Sequence, residues 1–288
     1  MNNQLIKIWN GKRIILNKIG FGLAVIFLAI TSYAIYDEVI KTPLASTSDE
    51  YSAEDYNCSV MGINLHGTLW TYIPPQNDDD IFTDNDIVAS EDINYLIKQA
   101  NEDDDIEAIL IEVDSFGGLP VAGEEIANAL KYSEKPTVAV IRQSGLSASY
   151  WAVTGADYIF ASKNSDIGSI GVTASYLQNV GKNKIDGNDY VQLSSGKYKD
   201  AGDPDRLLTE EERQLFLRDI KIVHQNFIAD VSTNRNIPLA DVEVIADGSS
   251  VLGERAKELH LIDDIGGIRE AEIYLENVTG TKSEVCWY

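Results

Sequence analysis

The sequence predicts an α/β protein in which helices cover a mainly parallel sheet, preceded by one N-terminal transmembrane helix. Strands and helices alternate at the spacing of βαβ units. The uncharged run Ile19–Tyr36 reaches the ~17 to 25 residues that cross a bilayer as a helix. A chain of 288 residues, 44% of them apolar, can also bury a sizeable core. We therefore expect a basic cytoplasmic segment 1–18, an anchor 19–36, a tether 37–57 and a globular domain 58–288.

The charges that flank this run predict its orientation. The charged residues before it are all basic, and the first ones after it are acidic. Because positive flanks stay in the cytoplasm, we expect a single-pass protein of the cytoplasmic membrane with its globular domain outside the cell's cytoplasm. The alternative is a cleaved signal peptide ending near Ala34, but the run exceeds the ~7 to 15 apolar residues of a usual signal. The flanking charges are Lys7, Lys12, Arg13 and Lys18, then Asp37 and Glu38.

Charge and composition exclude several classes of ligand. A net charge of −23 repels phosphate backbones, so nucleic acid is not an expected partner. The acidic run Asn77–Asp86 lacks the glycine and terminal glutamate of an EF-hand loop and is predicted to be a solvated loop. The spacing of Cys58 and Cys286 matches no metal-binding motif. An exported location permits a disulfide between them, but their separation along the chain does not show whether they are close in space. No cofactor is expected.

The elements follow one another from Ser59 onwards. Ser59–Leu69 is predicted to be the first strand and Ala89–Asn101 the first helix. The aliphatic run Ile106–Val113 is the second strand, and Pro120 then begins a helix that continues to about Tyr132, since proline suits the first helical turn. The remaining predicted elements are a strand at Thr137–Ile141, a helix at Ser147–Gly155 and a strand at Tyr158–Ala161.

A long helix is predicted to begin after Thr209. Thr209 and Glu212 have the spacing of a capping box. Apolar residues then recur every three or four positions and predict one buried stripe, made of Phe216, Ile220, Val223, Phe227 and Val231.

The histidines give no support for a catalytic triad. His66 falls in the first strand, His224 lies beside the stripe of the long helix, and His260 lies at a helix end. We therefore interpret all three as structural residues. A zinc protease is also disfavoured, because the chain contains no HExxH motif.

Serines in a segment of small residues are the first candidates for chemistry. Ser144, Ser147 and Ser149 follow the strand Thr137–Ile141, and a serine that begins a helix there faces a cleft near helix amides. On the residues alone the three compete, and close packing of small side chains is an alternative explanation. Gly117 and Gly118 end another strand and could direct N–H groups toward a carbonyl oxygen, or simply form a turn.

Two lysines lie in a later loop that contains glycine. Lys197 and Lys199 occupy the run Ser195–Asp200. A lysine can serve as the base for a serine only if burial or a nearby positive charge lowers its pKa from ~10.4 toward neutrality. The sequence alone does not show such burial.

Taken together, these motifs resemble the signal peptide peptidase A family. The resemblance is carried in order by Asp114–Gly118, Ser147–Trp151, Gly168–Val172, Ser195–Asp200, Ala246–Gly248 and Leu261–Gly267. It implies a ClpP/crotonase-like fold and a homo-oligomeric ring in which single-domain members draw serine and lysine from adjacent subunits. It also implies the site roles, namely Ser147 as nucleophile, Lys199 as base, Ser169 as the residue that orients the lysine amine, and Gly117 and Gly118 as oxyanion donors.

The sequence departs from this family at three positions. Phe116 stands where proline is usual, and Ala148 and Ser149 stand where glycines are usual. A side chain at the latter two positions is tolerated if the backbone is helical and harmful if it needs a positive φ.

The resemblance implies a membrane-anchored serine endopeptidase. Its substrates would be signal peptides left in the membrane and other small or unfolded polypeptides. Two alternatives stay open, a catalytically silent binding scaffold on the same fold and a crotonase-type acyl-CoA enzyme. Export disfavours the second alternative, because CoA thioesters reside in the cytoplasm.

Overall fold

Aliphatic and β-branched residues build the strands of one sheet in the computed structural model, which describes residues 58–74 and 87–288. The predicted anchor Ile19–Tyr36, the tether 37–57 and the acidic run Asn77–Asp86 lie outside these residues. In the described ranges no helix has the length and apolar character of a membrane span.

The described residues contain nine strands and eight helices, with the following bounds. The strands are β1 (Val60–Trp70), β2 (Ile87–Ala89), β3 (Ala108–Gly118), β4 (Thr137–Leu146), β5 (Tyr158–Ala161), β6 (Asp166–Gly168), β7 (Ser250–Leu252), β8 (Asp264–Ile265) and β9 (Val285–Trp287). The helices are α1 (Ser90–Glu102), α2 (Pro120–Lys131), α3 (Ala148–Val153), α4 (Val180–Asp186), α5 (Glu210–Arg235), α6 (Leu239–Ile245), α7 (Gly253–Glu258) and α8 (Ile268–Thr279).

The sheet is mainly parallel, as predicted. Its strands run in the order β2-β1-β3-β4-β5-β8; β6 extends the sheet beside β4, and β9 extends it beside β1. In the part of the chain that the structure describes, only the pair β6–β7 is antiparallel. Successive residues of a strand point to opposite faces, so the sheet has two apolar layers. Ile63 and Ile111 face the layer that includes α1, α2 and α3, whereas Leu110 and Val140 face α8.

The two central strands extend further than predicted. β3 continues to Gly118 and β4 to Leu146, although polar residues and glycines follow the aliphatic runs that predict them. Register shifts interrupt β3 between Val113 and Ser115, and pairing resumes beyond them. The extension carries the ends of both strands toward the same edge of the sheet.

The long helix confirms the predicted cap and part of the predicted stripe. Thr209 and Glu212 form the capping box at the start of α5. Phe227 and Val231 are buried, but Phe216 is only half-buried. The reason is that α5 packs on α3 and α6 through its second half, where Phe227 stacks on Trp151 with ring centroids 4.6 Å apart.

A disulfide joins the two ends of the globular unit. Cys58 and Cys286 are bonded, with their Cα atoms 5.7 Å apart and 228 positions between them. The bond fixes β9 beside the start of β1, where Met61 pairs with Cys286. The sequence left this pairing open, because separation along the chain does not report distance in space.

We expect reduction of this disulfide to lower the free energy of unfolding by about 2 to 5 kcal/mol, since the bond closes a very long loop in the unfolded chain. Urea unfolding with and without a reductant measures the difference. The control is a Cys58→Ala, Cys286→Ala double variant, whose midpoint should not respond to reductant. An equal midpoint for the wild type in both conditions would contradict a stabilising bond.

Candidate active site

Three neighbouring strands end at one edge of the sheet and bring four of the five predicted site residues together, all but Lys199. β3 ends at Gly118, β4 ends just before Ser147, and β6 ends just before Ser169. The register pairs Leu146 with Gly168. Ser147 and Ser169, the residues that follow this pair, therefore lie side by side. Ligand clefts in open parallel sheets lie at this carboxyl edge.

A cavity of about 710 Å³ opens at this edge. Its lining includes three predicted site residues, Gly118, Ser147 and Ser169. The other lining residues are mostly apolar or small, and they are Phe116, Pro120, Ala148, Trp151, Gly171, Val172, Thr173, His224, Phe227, Ala246, Asp247 and Gly248.

The structure separates Ser147 from the serines that compete with it. Ser147 is half-buried and lines the cavity, whereas Ser144 and Ser149 are 2% and 0% exposed. The Ser149 hydroxyl is used within the turn, since it accepts a hydrogen bond from Leu146 N–H at 2.8 Å. Of the three, only Ser147 has access to a ligand.

The backbone of Ser147 is held in an unusual conformation. Its φ is 53° and its ψ is −125° at the start of α3, a region that residues with a side chain rarely adopt. The Ser147 N–H donates to Gly168 O at 2.8 Å, and its carbonyl accepts from Trp151 N–H at 2.9 Å. The sharp turn from strand to helix points the residue into the cavity.

The departures at positions 148 and 149 do not disturb this turn. Ala148 and Ser149 are both helical residues of α3, and neither has a positive φ. The position that does need a positive φ is Ser147 itself. The glycines usual in the family are therefore not required here.

Glycines are required at the end of β3. Gly117 has a φ of 102°, and a Cβ there would lie 2.9 Å from the Ser147 Cβ and 2.8 Å from Leu146 O. A Cβ on Gly118 would lie 2.2 Å from Leu69 O. The two predicted oxyanion donors nevertheless differ, because Gly118 lines the cavity whereas the Gly117 N–H donates to Ser115 Oγ at 3.1 Å.

Ser169 is also placed by a strained turn. Its φ is 50°, its N–H donates to Ser249 O at 3.1 Å, and its hydroxyl donates to Gly248 O at 3.0 Å. The hydroxyl is thus held at the cavity edge with lone pairs that can accept another hydrogen bond.

Lys199 does not line the cavity of the single chain. It lies on the exposed loop before α5, and in the part of the chain that the structure describes its amine forms no ion pair. Lys197 differs, because its amine is 2.5 Å from Glu211 Oε2, and this hydrogen bond raises the pKa of Lys197. Lys197 is therefore held in its charged form and is the poorer candidate for a base.

A buried ion pair fixes the loop that carries Lys199. Arg206 donates from Nη2 to Asp200 O at 2.6 Å, and its guanidinium pairs with Glu212 at the start of α5. The hydrogen bond from Arg206 lowers the pKa of Glu212 to about 2. Because this pKa is lowered, the contribution to stability is present above the usual value of 4.5 and is lost as the pH falls toward 2.

We expect Glu212→Gln to weaken this anchor, because it removes the charge that holds Arg206. Amides 197–203 should lose about tenfold in hydrogen-exchange protection at neutral pH. The matched control is Glu210→Gln in the same turn, an exposed residue whose described contacts are an ion pair with Arg213 at 3.6 Å and a hydrogen bond from Gln214 Nε2 at 2.6 Å. Equal protection in the two variants would show that the pair does not hold the loop.

Sequence reasoning missed the two titratable residues of the cavity lining, His224 and Asp247. His224 was interpreted as structural, but it lines the cavity, and its Nε2 is buried without a hydrogen-bond partner in the described residues. Such a nitrogen costs about 1 to 3 kcal/mol unless a ligand or water satisfies it. Asp247 was not singled out as a site residue. Both lie more than 70 positions from Ser147 along the chain, so no local motif links them to it.

The chain is similar to known proteases. Residues 129–281, just over half of the chain, match the profile of "Peptidase family S49". Over 190 residues the chain is 33% identical to "Putative protease MJ0651" of Methanocaldococcus jannaschii, which covers 65% of this chain and 61% of that protein. Over 198 residues it is 28% identical to "Serine protease SPPA, chloroplastic" of Arabidopsis thaliana, with 66% and 28% covered. The chain thus spans less than two thirds of these relatives.

A solved structure shares the fold. A variant of the 1510-N membrane-bound stomatin-specific protease, in complex with a substrate peptide, aligns with a TM-score of 0.53 and 16% identity. The alignment covers 80% of this chain and 92% of that one. At this identity the likeness concerns the fold alone.

Proposed function

Because the chain belongs to peptidase family S49, we propose that it is a membrane-anchored serine endopeptidase in which Ser147 is the nucleophile and Lys199 the base. One observation carries the proposal. Ser147 is the accessible serine of its segment, and it lines one cavity together with Ser169 and Gly118. This lining supports a role for the Ser147 hydroxyl as the group that attacks a carbonyl carbon, and we assign the Gly118 amide as the donor to the carbonyl oxygen.

The proposed reaction proceeds through an acyl-enzyme. The neutral amine of Lys199 takes the proton of the Ser147 hydroxyl as its oxygen attacks the scissile carbonyl carbon. The carbonyl oxygen gains the negative charge and accepts a hydrogen bond from Gly118, with Gly117 as second donor if its N–H leaves Ser115. The lysine ammonium then protonates the departing amine as the C–N bond breaks. Water, deprotonated by the same amine, hydrolyses the Ser147 ester and restores the serine.

We infer that the lysine of each site comes from an adjacent copy of the chain. Lys199 is outside the cavity of its own chain, and the segment that carries it exposes large apolar side chains. Leu177, Ile185 and Leu193 are 89%, 87% and 93% exposed. Apolar exposure on this scale is typical of a surface that another subunit covers. A homo-oligomeric ring would bury this segment and remove water from the amine, which favours the neutral form.

The substrates we propose are signal-peptide remnants and other small or unfolded polypeptides. The apolar wall formed by Trp151 and Phe227 suits peptides of this composition.

We also propose that Ile19–Tyr36 holds the domain at the outer face of the cytoplasmic membrane. The Cys58–Cys286 disulfide supports export, because such bonds persist in oxidising compartments.

Peptide turnover tests the proposal. Purified full-length protein should cleave a fluorogenic apolar peptide and a signal-peptide mimic, and the products should map to internal bonds. Inactivity on both peptides would favour a binding scaffold.

Cell fractionation tests the proposed location, with a tag placed after Tyr288 to follow the protein. Release of the tagged protein into the soluble extracytoplasmic fraction would refute the membrane anchor.

A further inference from the structure

The turn Asp247–Ser249 supplies both carbonyl groups that hold Ser169 at the cavity. Gly248 O accepts a hydrogen bond from the Ser169 hydroxyl at 3.0 Å, and Ser249 O accepts one from the Ser169 N–H at 3.1 Å. The Gly248 N–H donates in return to Ile170 O at 3.1 Å. Three hydrogen bonds thus join this turn to the residues that follow β6, so the placement of Ser169 depends on the shape of the turn.

The direction of the Ser169 hydroxyl determines what this residue can offer to a lysine. A hydroxyl has one proton to donate and two lone pairs that accept. Because Gly248 O takes the proton, the lone pairs remain available to an amine N–H of Lys199 from an adjacent copy. If the Gly248 carbonyl moved away, the hydroxyl could donate to the amine nitrogen instead. The amine would then lose the lone pair with which a base removes a proton.

The carboxylate of Asp247 closes the turn. Its Oδ1 accepts hydrogen bonds from Ser249 N–H at 2.8 Å and from the Ser249 hydroxyl at 2.5 Å, the local pattern by which an aspartate folds the backbone two residues on. The hydrogen bond from the Ser249 hydroxyl lowers the pKa of Asp247, so the group that closes the turn at neutral pH is the ionised carboxylate.

Packing fixes the two ends of the turn but not the turn itself. Ala246 is buried on one side, and Ser250 pairs with Gly168 across β6 and β7 on the other. All three residues of the turn between them are exposed, so water competes for their carbonyl oxygens. The hydrogen bonds that Asp247 accepts resist this competition better than neutral ones, because their acceptor is charged.

We propose that Asp247 is a positioning residue of the peptidase site, which acts through Ser169 and not by contact with the substrate. The carboxylate keeps the turn closed, and the closed turn holds the Gly248 carbonyl where it orients the Ser169 hydroxyl. The oriented hydroxyl then receives the amine of Lys199. This last step rests on the proposed function.

Two substitutions of Asp247 in the full-length protein test the proposal by steady-state turnover. Asp247→Ala removes the acceptor and should lower kcat about tenfold with little change in KM. Asp247→Asn keeps an oxygen acceptor without the charge and should recover most of that loss. A direct effect of the charge on the lysine would make the two variants equal. It would also move the rise of activity to lower pH in both, because an anion near an ammonium raises its pKa. That result would overturn the proposal.

Coupling to Ser169 is the second readout. In a Ser169→Ala background, Asp247→Ala should cause no further loss of kcat, since the hydroxyl that the turn orients is absent. In the Asp247→Ala protein alone, the Ser169 amide should exchange its hydrogen about tenfold faster than in the wild type, because Ser249 O no longer holds it. Independent losses of kcat, or an unchanged exchange rate, would contradict a role through Ser169.

The matched control is Asp241→Ala, which removes an exposed carboxylate on α6 outside the cavity lining. It should change neither kcat nor the exchange of the Ser169 amide, and thermal unfolding should show that both alanine variants are folded. Wild-type turnover that requires Ser147 and Lys199 but survives Asp247→Ala unchanged would refute this inference alone. A wild type without turnover would refute the proposed function and this inference with it.

Discussion

Replacing Ser147 by alanine is expected to lower kcat/KM by about 10⁴- to 10⁶-fold, the range that follows loss of a serine nucleophile. The substitution removes only the hydroxyl oxygen. Alanine keeps the Cβ and so meets the same backbone cost at a φ of 53°. The fold should therefore survive, and thermal unfolding of the variant should match that of the wild type. Steady-state turnover of the fluorogenic peptide measures the loss.

The matched control for this variant is Ser162→Ala, an exposed serine that does not line the cavity. Its turnover should stay within about twofold of wild type, as surface substitutions rarely act at a distance. Substantial turnover by a folded Ser147→Ala protein would assign the nucleophile to another residue.

The second large loss of activity is expected for Lys199→Ala. Mixing this variant with Ser147→Ala tests whether the serine and the lysine of one site come from different chains. Alone, each of the Ser147→Ala and Lys199→Ala proteins should be nearly inactive, since the base and the nucleophile act as a unit. Lys197→Ala is the matched control two positions away, and it should retain turnover because its amine is paired with Glu211. Dissociating and reassembling the two inactive proteins together should restore activity.

The expected yield of the mixture follows from the proposed ring. A working site needs an intact serine from one chain and an intact lysine from its neighbour. In a random equal mixture about one site in four meets both conditions, whatever the number of subunits. Recovery near a quarter of wild-type turnover would support sharing between adjacent chains. No recovery, with normal assembly of the mixed protein, would place both residues of a working site in one chain.

The sequence predicted the layer arrangement well because hydrophobic periodicity reports it directly. The strands at Val60–Trp70 and Tyr158–Ala161 and the helix that begins after Thr209 all lie where the pattern places them. The sequence did not predict the last residues of β3 and β4, because polar residues and glycines such as Asp114, Ser115 and Gly117 do not have the apolar pattern of a strand. Their pairing depends on neighbouring strands that are distant in sequence.

The candidate site was only partly predictable. Motif resemblance favoured Ser147 among three serines, and burial of the other two agrees with that choice. His224 and Asp247 could not be assigned, since only the packing of α5 and the turn before β7 brings them to the cavity. Lys199 presents the opposite case, because the motif resemblance names it whereas the single chain leaves it outside the cavity. The proposed dyad therefore requires a second copy of the chain.

Covalent labelling of the nucleophile tests the central claim most directly. The wild type, Ser147→Ala and Lys199→Ala proteins would be treated with a fluorophosphonate, which phosphonylates activated serines, and the modified residue would be located by peptide mass spectrometry. The account predicts an adduct on Ser147 in the wild type, none in Ser147→Ala and a strongly slowed reaction in Lys199→Ala. An adduct on a different serine, or equal labelling of Ser147 without Lys199, would contradict it.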